Sequence, residues 1–469
     1  MTDVPLILWF RRDLRLADQP MLAAAVATGR PLLPVFVLDP ETEALGAAAK
    51  WRLGLAVERF GTVLAGLGAR LVLRRGAALA ALCGLVAETG AGGVWWSRLY
   101  DPASVARDTG VKAALKAAGI EVRSFAGHLL HEPWQVATGQ GTEYRVFTPF
   151  WTAIRGRDVA APLAAPQRPR GGGAPRSDRL ADWHLGAAMQ RGAAVVGPHQ
   201  VLGEAAARER LEGFLAGPLA RYREGRDFPA LPATSGLSEN LTYGEIGIRE
   251  VWHRAMQARQ DGVAGAETFL KELGWREFAY HLLHHFPALS AKSWRAGWED
   301  FPWQGDNPPA MRWRQGMTGE PLVDAGMREM YVTGRMHNRV RMVVASYLTK
   351  HLMTDWRLGL DWFADCLTDW DPAANAMGWQ WVAGCGPDAA PYFRVFNPAS
   401  QAEKFDPDGA YRRCWLAELS PRPGPDALAF FEAVPRAWRL DPRADYPAPV
   451  VGLAEGRARA LAAYASRKT

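Results

Sequence analysis

The first third of the chain alternates short apolar runs with longer segments whose apolar residues recur at helical spacing. Two clear helical segments are AAKWRLGLAVERFGTVLAGL and ARDTGVKAALKAAG. Because strand–helix–strand repeats join parallel strands by right-handed crossovers, the pattern predicts an α/β domain over residues 1–131. The predicted strands are Leu6–Phe10, Pro31–Leu38, Arg70–Arg74, Gly93–Ser97 and Ile120–Phe125.

A break separates this domain from a helical region. The stretch APLAAPQRPRGGGAP, which ends at Pro175, is too rich in Pro, Gly and Ala for a regular element. From about Val201 onward helical spacing prevails, as in VWHRAMQARQ and HNRVRMVVASYLTKHLM. We therefore predict an interdomain linker over residues 132–200 and a large all-helical domain over residues 201–469.

Composition narrows the class of protein. The apolar share of 48% and the charged share of 22% are typical of a globular chain, and no apolar run reaches the ~18 residues of a membrane span. The four cysteines form no C-x-x-C pair, which predicts a reduced, cytoplasmic protein without a disulfide framework. The net charge of +6 would suit DNA if the positive charge were gathered on one face.

Common catalytic signatures are absent from the sequence: it has no P-loop, no G-x-S-x-G and no H-E-x-x-H. The HLLHH segment, with His281, His284 and His285, contains an i,i+4 histidine pair that could bind zinc. Without an obvious third ligand, surface histidines on a helix are the better interpretation, and we predict no metal site. The Gly384 and Gly386 pair lacks a strand–helix setting and is interpreted as a loop.

A cluster of small hydroxyl residues precedes a helical stretch in TSGLSENLTYGEI, residues 234–246. Hydroxyls and backbone N–H groups at a helix start can cradle a phosphate. Ordinary N-capping is the commoner explanation on local chemistry alone. Farther along, helical spacing puts Asn338, Arg341 and Met342 on one face, with Arg339 on an adjoining one. Asp369 and Asp371 are possible partners for an arginine on that face.

The densest aromatic segment is LTDWDPAANAMGWQWVAGCGPDAAPYF, residues 367–393, in a chain with 20 tryptophans. It sets Trp370, Trp379 and Trp381 among two aspartates and Asn375. Core packing is the default interpretation of such indoles, and local chemistry alone supports nothing stronger.

These segments together resemble the DNA photolyase/cryptochrome family over nearly the whole chain. The motifs that carry the resemblance are WFRRDLRL, TSGLSENLTYGEI, ELGWREF, TGRMHNRVRM, DWDPAANAMGWQW, DAAPYFRVFNP and QAEKFD. Within the family the likeness is to class I photolyases, which split cyclobutane pyrimidine dimers. The implied fold, an α/β photolyase domain followed by a helical FAD domain, agrees with the pattern above.

The resemblance implies that FAD lies folded inside the helical domain. Asp369 would pair with Arg341 near the flavin, and Asn375 would face flavin N5, where an amide favours the fully reduced cofactor. Phe269 stands where the family often has Trp. The residues assigned to FAD binding are Tyr222, Thr234, Ser235, Gly236, Leu237, Ser238, Phe269, Arg341, Asp369, Asp371 and Asn375.

The resemblance also implies a pocket for UV-damaged DNA. Trp275 and Trp381 would flank a flipped pyrimidine dimer, because aromatic faces stabilise an extruded base by roughly 1–3 kcal/mol. Glu272 would bond the pyrimidine edge, Asn338 and Met342 would line the pocket, and three polar side chains would contact the DNA backbone. Those backbone contacts are Arg226, Arg339 and Gln401.

The implied mechanism is light-driven electron transfer from reduced FAD to the dimer. The electron returns to the flavin after the cyclobutane ring is cleaved. Trp379, Trp356 and Trp303 would form an electron relay from the flavin to the surface, whereas Trp370 has no assigned role beyond packing. A monomer without an obligate protein partner is the family expectation.

Two features leave alternatives open. Folate-binding relatives carry an Asn-Glu pair where this chain has Ala103 and Ser104. Their Cys-Lys pair falls at Ser290 and Ala291, with Lys292 adjacent. The identity of the antenna chromophore therefore stays open between a deazaflavin, another flavin and no antenna. A cryptochrome-type photoreceptor is the main alternative function. A non-flavin nucleic-acid-binding protein would leave the hydroxyl and aspartate clusters unexplained, and repair of (6-4) photoproducts is less favoured by Trp275 and the ELGWREF context.

Overall fold

The computed structural model describes residues 4–166, 170–388 and 393–467. Part of the DAAPYFRVFNP segment and part of the Pro/Gly-rich stretch therefore lie outside the described residues. Five parallel strands form one sheet with the order β3-β2-β1-β4-β5. The strands are β1 (Leu6–Phe10), β2 (Leu32–Leu38), β3 (Val72–Arg75), β4 (Gly93–Ser97) and β5 (Glu121–Phe125).

All five predicted strands are confirmed, each within two residues of the predicted bounds. Every residue of β1, β2 and β4 is buried, as expected for a parallel sheet covered by helices on both faces. The chain runs from β1 outward to β3, then returns to β4 on the other side of β1. The carboxyl ends of β1 and β4 thus meet at a switch point, where open α/β sheets form a crevice.

Helices of six or more residues are numbered along the described chain. Around the sheet lie α1 (Pro20–Ala27), α2 (Ala47–Gly66), α3 (Ala78–Thr89) and α4 (Pro102–Ala117). The following helices are α5 (Phe147–Ile154), α6 (Glu204–Ala216), α7 (Ile248–Gln260), α8 (Ala266–His285), α9 (Pro308–Arg314), α10 (Pro321–Thr333), α11 (Asn338–Ser346), α12 (Trp356–Cys366), α13 (Pro372–Ala383), α14 (Pro398–Phe405), α15 (Ala410–Trp415), α16 (Pro425–Ala433) and α17 (Leu453–Ala465).

No helix among the described residues is long and apolar enough to cross a membrane. The Pro/Gly-rich stretch holds no helix in its described part, although Gly171 forms an isolated bridge with Leu32. The wider segment 132–200 does contain α5, which packs against α8. The predicted domain bounds of 1–131, 132–200 and 201–469 stay a prediction.

Buried polar pairs join the sheet to the helical part. Arg52 of α2 makes two hydrogen bonds to Glu245, at 3.2 and 2.7 Å, and both side chains are almost fully buried. Glu277 of α8 accepts the backbone N–H groups of Leu130 and His131 at 2.9 and 3.3 Å. Because a buried charge is tolerated only when it is paired or hydrogen-bonded, these contacts fix how the helices meet the sheet.

Candidate functional site

The main candidate site is a cavity of about 560 Å³ among α8, α11 and α13. Most residues predicted to bind cofactor or lesion line it, although they come from five separate stretches of sequence. The predicted residues on its wall are Tyr222, Arg226, Ser235, Leu237, Ser238, Phe269, Glu272, Trp275, Asn338, Arg339, Arg341, Met342, Asp369, Asp371, Asn375 and Trp381.

The inner end of this cavity holds a carboxylate–guanidinium pair. Nη2 of Arg341 donates to both carboxylate oxygens of Asp369, at 2.9 and 2.8 Å, and Nε donates to the carbonyl of Met336 at 2.8 Å. The Asp369 side chain is only 5% exposed. The predicted contact between these two residues is therefore present, and charge-assisted bonds of this kind hold an arginine in one orientation.

Asp371 and Asn375 begin the helix that forms one wall. Asp371 caps α13 by accepting the N–H of Ala374 at 2.8 Å, and Pro372 occupies the first helical position, where its missing N–H costs nothing. The other carboxylate oxygen accepts the hydroxyl of Tyr280 at 2.6 Å. Nδ2 of Asn375 donates to the Asp371 carbonyl at 2.9 Å. This bond leaves the amide oxygen of Asn375 as its acceptor for a ligand.

The hydroxyl cluster lies beside a second opening of about 540 Å³, which shares Tyr222, Ser235, Arg341 and Asp369 with the main cavity. Thr234 and Gly236 line this opening. The helix that follows, Ser238–Thr242, has Leu237 at its N-cap and no side-chain capping bond. The N-capping interpretation does not hold for this helix, because no side chain caps it; the hydroxyl of Ser235 instead accepts the backbone N–H of Leu237 at 3.4 Å.

Ion pairs surround the mouth of the cavity. Arg226 is hydrogen-bonded to Glu272, and Arg339 pairs with Asp227 at 2.8 Å. The Glu272 and Asp227 side chains are 29% and 32% exposed. Gln401 lies outside the lining of the main cavity, and no described residue bonds its buried amide oxygen.

Two half-buried tryptophans stand on opposite helices at the mouth. Trp275 belongs to α8 and Trp381 to α13. The indole N–H of Trp381 donates to the carbonyl of Asp388 at 3.1 Å, and the Trp275 ring is stacked on Phe147. Asn338 and Met342 of α11 complete this part of the wall.

The three relay tryptophans run from the core toward the surface. Trp379 and Trp356 are 2% and 0% exposed, whereas Trp303 is partly exposed. Trp379 packs on α12 at Gly359, where a Cβ would come within 2.1 Å of the indole. None of the three indole N–H groups has a hydrogen-bond partner among the described residues. The relay itself stays a prediction.

A further cavity of about 390 Å³ opens at the carboxyl ends of the strands. It is lined by residues that follow β1, β2 and β4, including Arg11, Ala103, Ser104 and Arg107, and by Trp370. Arg11 and Arg107 both bond Asp108 and lie over the Trp9 ring. Trp370, for which packing was the default, therefore forms part of a cavity wall.

Several residues of the site had no sequence signal. Arg276 lines the main cavity and donates to the carbonyl of His128 at 2.9 Å. Burial raises the pKa of its neighbour Glu277 to about 7. Tyr280 could have been found only from its contact with Asp371, which lies 91 residues away. Such contacts leave no periodic pattern.

His281, one of the histidines weighed as zinc ligands, is engaged otherwise. Nε2 of His281 accepts the N–H of Tyr144 at 3.0 Å, and burial lowers the pKa of His281 to about 4. Among the residues that the structure describes, no group of three or more His, Cys, Asp or Glu side chains could hold a metal ion.

Two family models match the chain. The model for DNA photolyase covers residues 6–167, and the model for the FAD-binding domain of DNA photolyase covers residues 269–466. The helical match includes α8, α11 and α13, which form the main cavity. The match to the DNA photolyase model covers the whole sheet and the lining of the cavity at its carboxyl edge except Trp370 and Pro372.

Relatives that match nearly the whole chain include photolyases and a cryptochrome. A deoxyribodipyrimidine photo-lyase of Agrobacterium fabrum is 45% identical, covering 100% of this chain and 99% of the relative. The crystal structure of a class III photolyase from Agrobacterium tumefaciens matches with a TM-score of 0.92 and 44% identity, covering 99% of this chain and 98% of the other. Cryptochrome-1 of Arabidopsis thaliana is 36% identical, covering 97% of this chain and 69% of the relative.

Proposed function

Because this chain belongs to the DNA photolyase family, we propose that it is a deoxyribodipyrimidine photo-lyase, which splits cyclobutane pyrimidine dimers in DNA under light. The observation that carries the proposal is a single cavity that joins a flavin-type inner end to an aromatic mouth. The carboxylate and amide of Asp369 and Asn375 line the same cavity as two tryptophans, Trp275 and Trp381. Binding of both a cofactor and an extruded base would require such an arrangement.

The helical part of the chain is a FAD-binding domain, and its side chains fit that cofactor. The openings of about 560 and 540 Å³ share seven wall residues, so a dinucleotide can extend from one into the other. Hydroxyls of Thr234, Ser235 and Ser238 and the guanidinium of Arg341 are suited to its phosphates. The apolar walls exclude water from the ring system.

At the inner end, this chain's residues orient the isoalloxazine ring. Asp369 holds Arg341 in place, and Tyr280 holds Asp371. The amide oxygen of Asn375 would accept a hydrogen bond from a protonated ring nitrogen, which would favour the reduced cofactor. Bound reduced FAD supplies the light-driven electron transfer.

At the mouth, the residues bind and orient the lesion. Trp275 and Trp381 present aromatic faces to the extruded pyrimidines, and Glu272 hydrogen-bonds the pyrimidine edge. Glu272 must then exchange its bond with Arg226 for one with the lesion. Arg226 is released to a DNA phosphate, as is Arg339 on leaving Asp227. Gln401 is proposed as the third side chain that contacts the DNA backbone.

The class of photolyase follows the relatives rather than the motifs alone. The sequence motifs favoured class I, whereas the structure that matches over almost the full chain with a TM-score of 0.92 is described as class III. We therefore include class III in the proposal. A cryptochrome-type photoreceptor has support from the 36% identity to cryptochrome-1 and remains the second candidate.

Other parts of the proposal concern partners. The cavity at the carboxyl edge of the sheet, with two arginines and Trp370, has the position and lining for a planar antenna chromophore. The relay of Trp379, Trp356 and Trp303, the monomeric state without an obligate protein partner and the cytoplasmic location belong to the same proposal. Light scattering of the purified protein tests its oligomeric state.

The test is repair of an oligonucleotide that carries one thymine cyclobutane dimer. The FAD-loaded, chemically reduced protein is expected to restore intact thymines in blue light and not in the dark. A protein that binds FAD but restores no thymines in light contradicts the proposal and favours a photoreceptor. A protein without bound FAD contradicts both.

A further inference from the structure

Trp275, one of the two tryptophans at the mouth, is supported by a part of the chain that lies outside the match to the FAD-binding domain and outside the predicted helical domain. This part is α5, whose first residue is Phe147. The Phe147 ring lies 3.7 Å from the Trp275 ring between centroids, with an angle of 9° between planes. Phe147 is 7% exposed, and Trp275 is half-buried. One face of Trp275 is therefore covered, and only the other is available to the cavity.

The stack continues behind Phe147. Trp151, one turn later in α5, lies 6.4 Å from Phe147 at an interplanar angle of 17°. Gly274 makes this arrangement possible, because a Cβ there would come within 2.6 Å of the Trp151 ring. Parallel aromatic rings in contact resist tilting, since tilting one ring loses contact area with the next.

The opposite tryptophan, Trp381, is held by Asp388. The carbonyl of Asp388 accepts the indole N–H of Trp381 at 3.1 Å. Asp388 has a φ of 51°, in the left-handed region that Asp and Asn tolerate better than most side chains. Phe147 thus supports one aromatic wall and Asp388 supports the other.

The geometry points to Phe147 and Asp388 as positioning residues that hold Trp275 and Trp381, respectively, at the separation and orientation needed to receive an extruded pyrimidine dimer. This inference rests on the proposed function, because it assumes that the two tryptophans bind the lesion. Preorganised walls reduce the ordering cost of binding, so they raise affinity without touching the reacting atoms. The binding step is thus expected to depend on Phe147, whereas the photochemical step is not.

The test compares Phe147→Leu with Phe150→Leu in the FAD-loaded protein. Phe150 lies on the same helix and is 2% exposed, but it packs against Phe278 and His281. The ring centroids are 5.1 Å apart in each pair. Loss of an aromatic pair is worth about 0.5–1.5 kcal/mol, so Phe147→Leu is expected to weaken binding of a dimer-containing oligonucleotide by about 2- to 12-fold. Repair per absorbed photon at saturating DNA is expected to stay unchanged. Phe150→Leu is expected to leave both quantities near wild type once its folding is verified.

Two further measurements separate positioning from general damage. Phe147→Tyr keeps the stacked ring and is expected to restore affinity, and in a Trp275→Ala background Phe147→Leu is expected to have no added effect. Asp388→Ala is expected to weaken binding and Asp388→Asn to preserve it, because Asn tolerates the left-handed backbone that places the carbonyl of residue 388 on the Trp381 indole. If Phe147→Leu is too unstable to purify, Phe147→Met offers similar volume without the flat face and carries the same expectation.

Specific results would overturn the inference. Wild-type affinity in Phe147→Leu, an equal loss in Phe150→Leu, or an additive loss in the Trp275→Ala background would each contradict it. These failures differ from failure of the proposed function, in which the wild-type protein itself would neither prefer nor repair the dimer.

Discussion

Carboxylate–guanidinium pairs occur both at the inner end and at the mouth of the main cavity, but they differ in their exposure to water. At the inner end, Asp369 is 5% exposed and is bonded through both oxygens to Arg341. At the mouth, Glu272 and Asp227 are 29% and 32% exposed in their pairs with Arg226 and Arg339. Buried pairs are costly to break, whereas half-exposed pairs contribute little to stability. The inner pair therefore serves as a fixed wall, and the pairs at the mouth can exchange partners when DNA arrives.

This difference separates structural charges from charges available for binding. An arginine whose carboxylate is reachable by water can trade it for a phosphate at small cost. An arginine held by a buried carboxylate cannot. Four measurements test the distinction, in order of expected size.

Removing the inner carboxylate is expected to have the largest effect. Asp369→Ala leaves Arg341 without a counter-ion in a largely enclosed site, and we expect a loss of about 3–5 kcal/mol in the free energy of unfolding together with release of FAD. Denaturant unfolding and flavin absorbance after gel filtration measure these effects. Glu267→Ala, which removes the partner of the exposed Arg259, is the control and should cost less than about 1 kcal/mol. Equal effects in the two variants would remove the distinction.

The second test uses a buried carboxyl behind the cavity wall. The pKa of Glu277 is raised by burial to about 7 from its usual 4.5. A raised pKa means that the folded state binds the proton more tightly, so this contribution to stability is complete below pH ~4.5 and is lost as pH rises to ~7. The difference corresponds to at most about 3 kcal/mol. Relative to wild type, Glu277→Gln is expected to have a flatter dependence of unfolding free energy on pH between ~4.5 and ~7. Parallel curves for the two proteins would refute the expectation.

The third test concerns the mouth. Glu272→Ala removes a hydrogen bond to the lesion, which is worth about 1.5–3 kcal/mol when one partner is charged. We expect the preference for dimer-containing over undamaged DNA to fall by about 10- to 150-fold. Affinity for undamaged DNA should hold or increase, because Arg226 is freed for a phosphate. Stability should change by less than in Asp369→Ala. A large loss of stability with unchanged selectivity would assign Glu272 to the fixed wall instead.

The smallest effect is expected from a single arginine at the mouth. Arg339→Gln removes one phosphate contact, so the slope of log affinity against log salt should decrease by about 0.9 for duplex DNA, similarly with and without a dimer. Fluorescence anisotropy at several salt concentrations measures the slope. Arg254→Gln is the matched control, since Arg254 is exposed on α7, away from the lining of the main cavity. A slope unchanged from wild type would mean that Arg339 stays with Asp227 in the complex.

Much of the fold follows from residue order. The five strands are recognisable because buried parallel strands are continuous apolar runs, and each lies within two residues of its predicted position. The helical part follows from 3.6-residue spacing. Predicted site residues such as Asn338, Arg341 and Met342 do share one wall of the cavity, because helical spacing brings them to one face. The predicted architecture, with an α/β photolyase domain before a helical FAD-binding domain, is confirmed.

Other features of the site could not be read from sequence. The N-capping interpretation of Thr234–Ser238 did not hold, because no side chain caps the helix that follows. The partner of Glu272 is 46 residues away and that of Asp371 is 91 residues away. Phe147 lies in a segment predicted as linker, yet its ring covers Trp275.

Residue order is enough to specify which segments are strands, which are helices and which short motifs carry cofactor chemistry, because each depends on spacing within a few residues. Only packing decides which arginines are held and which are free to bind DNA. Ion pairing depends on distance and on exposure to water, and both are set by elements that meet from distant parts of the chain. Low exposure to water fixes Asp369 in the cavity wall, whereas higher exposure leaves Glu272 available for binding, although both are carboxylates paired with arginine.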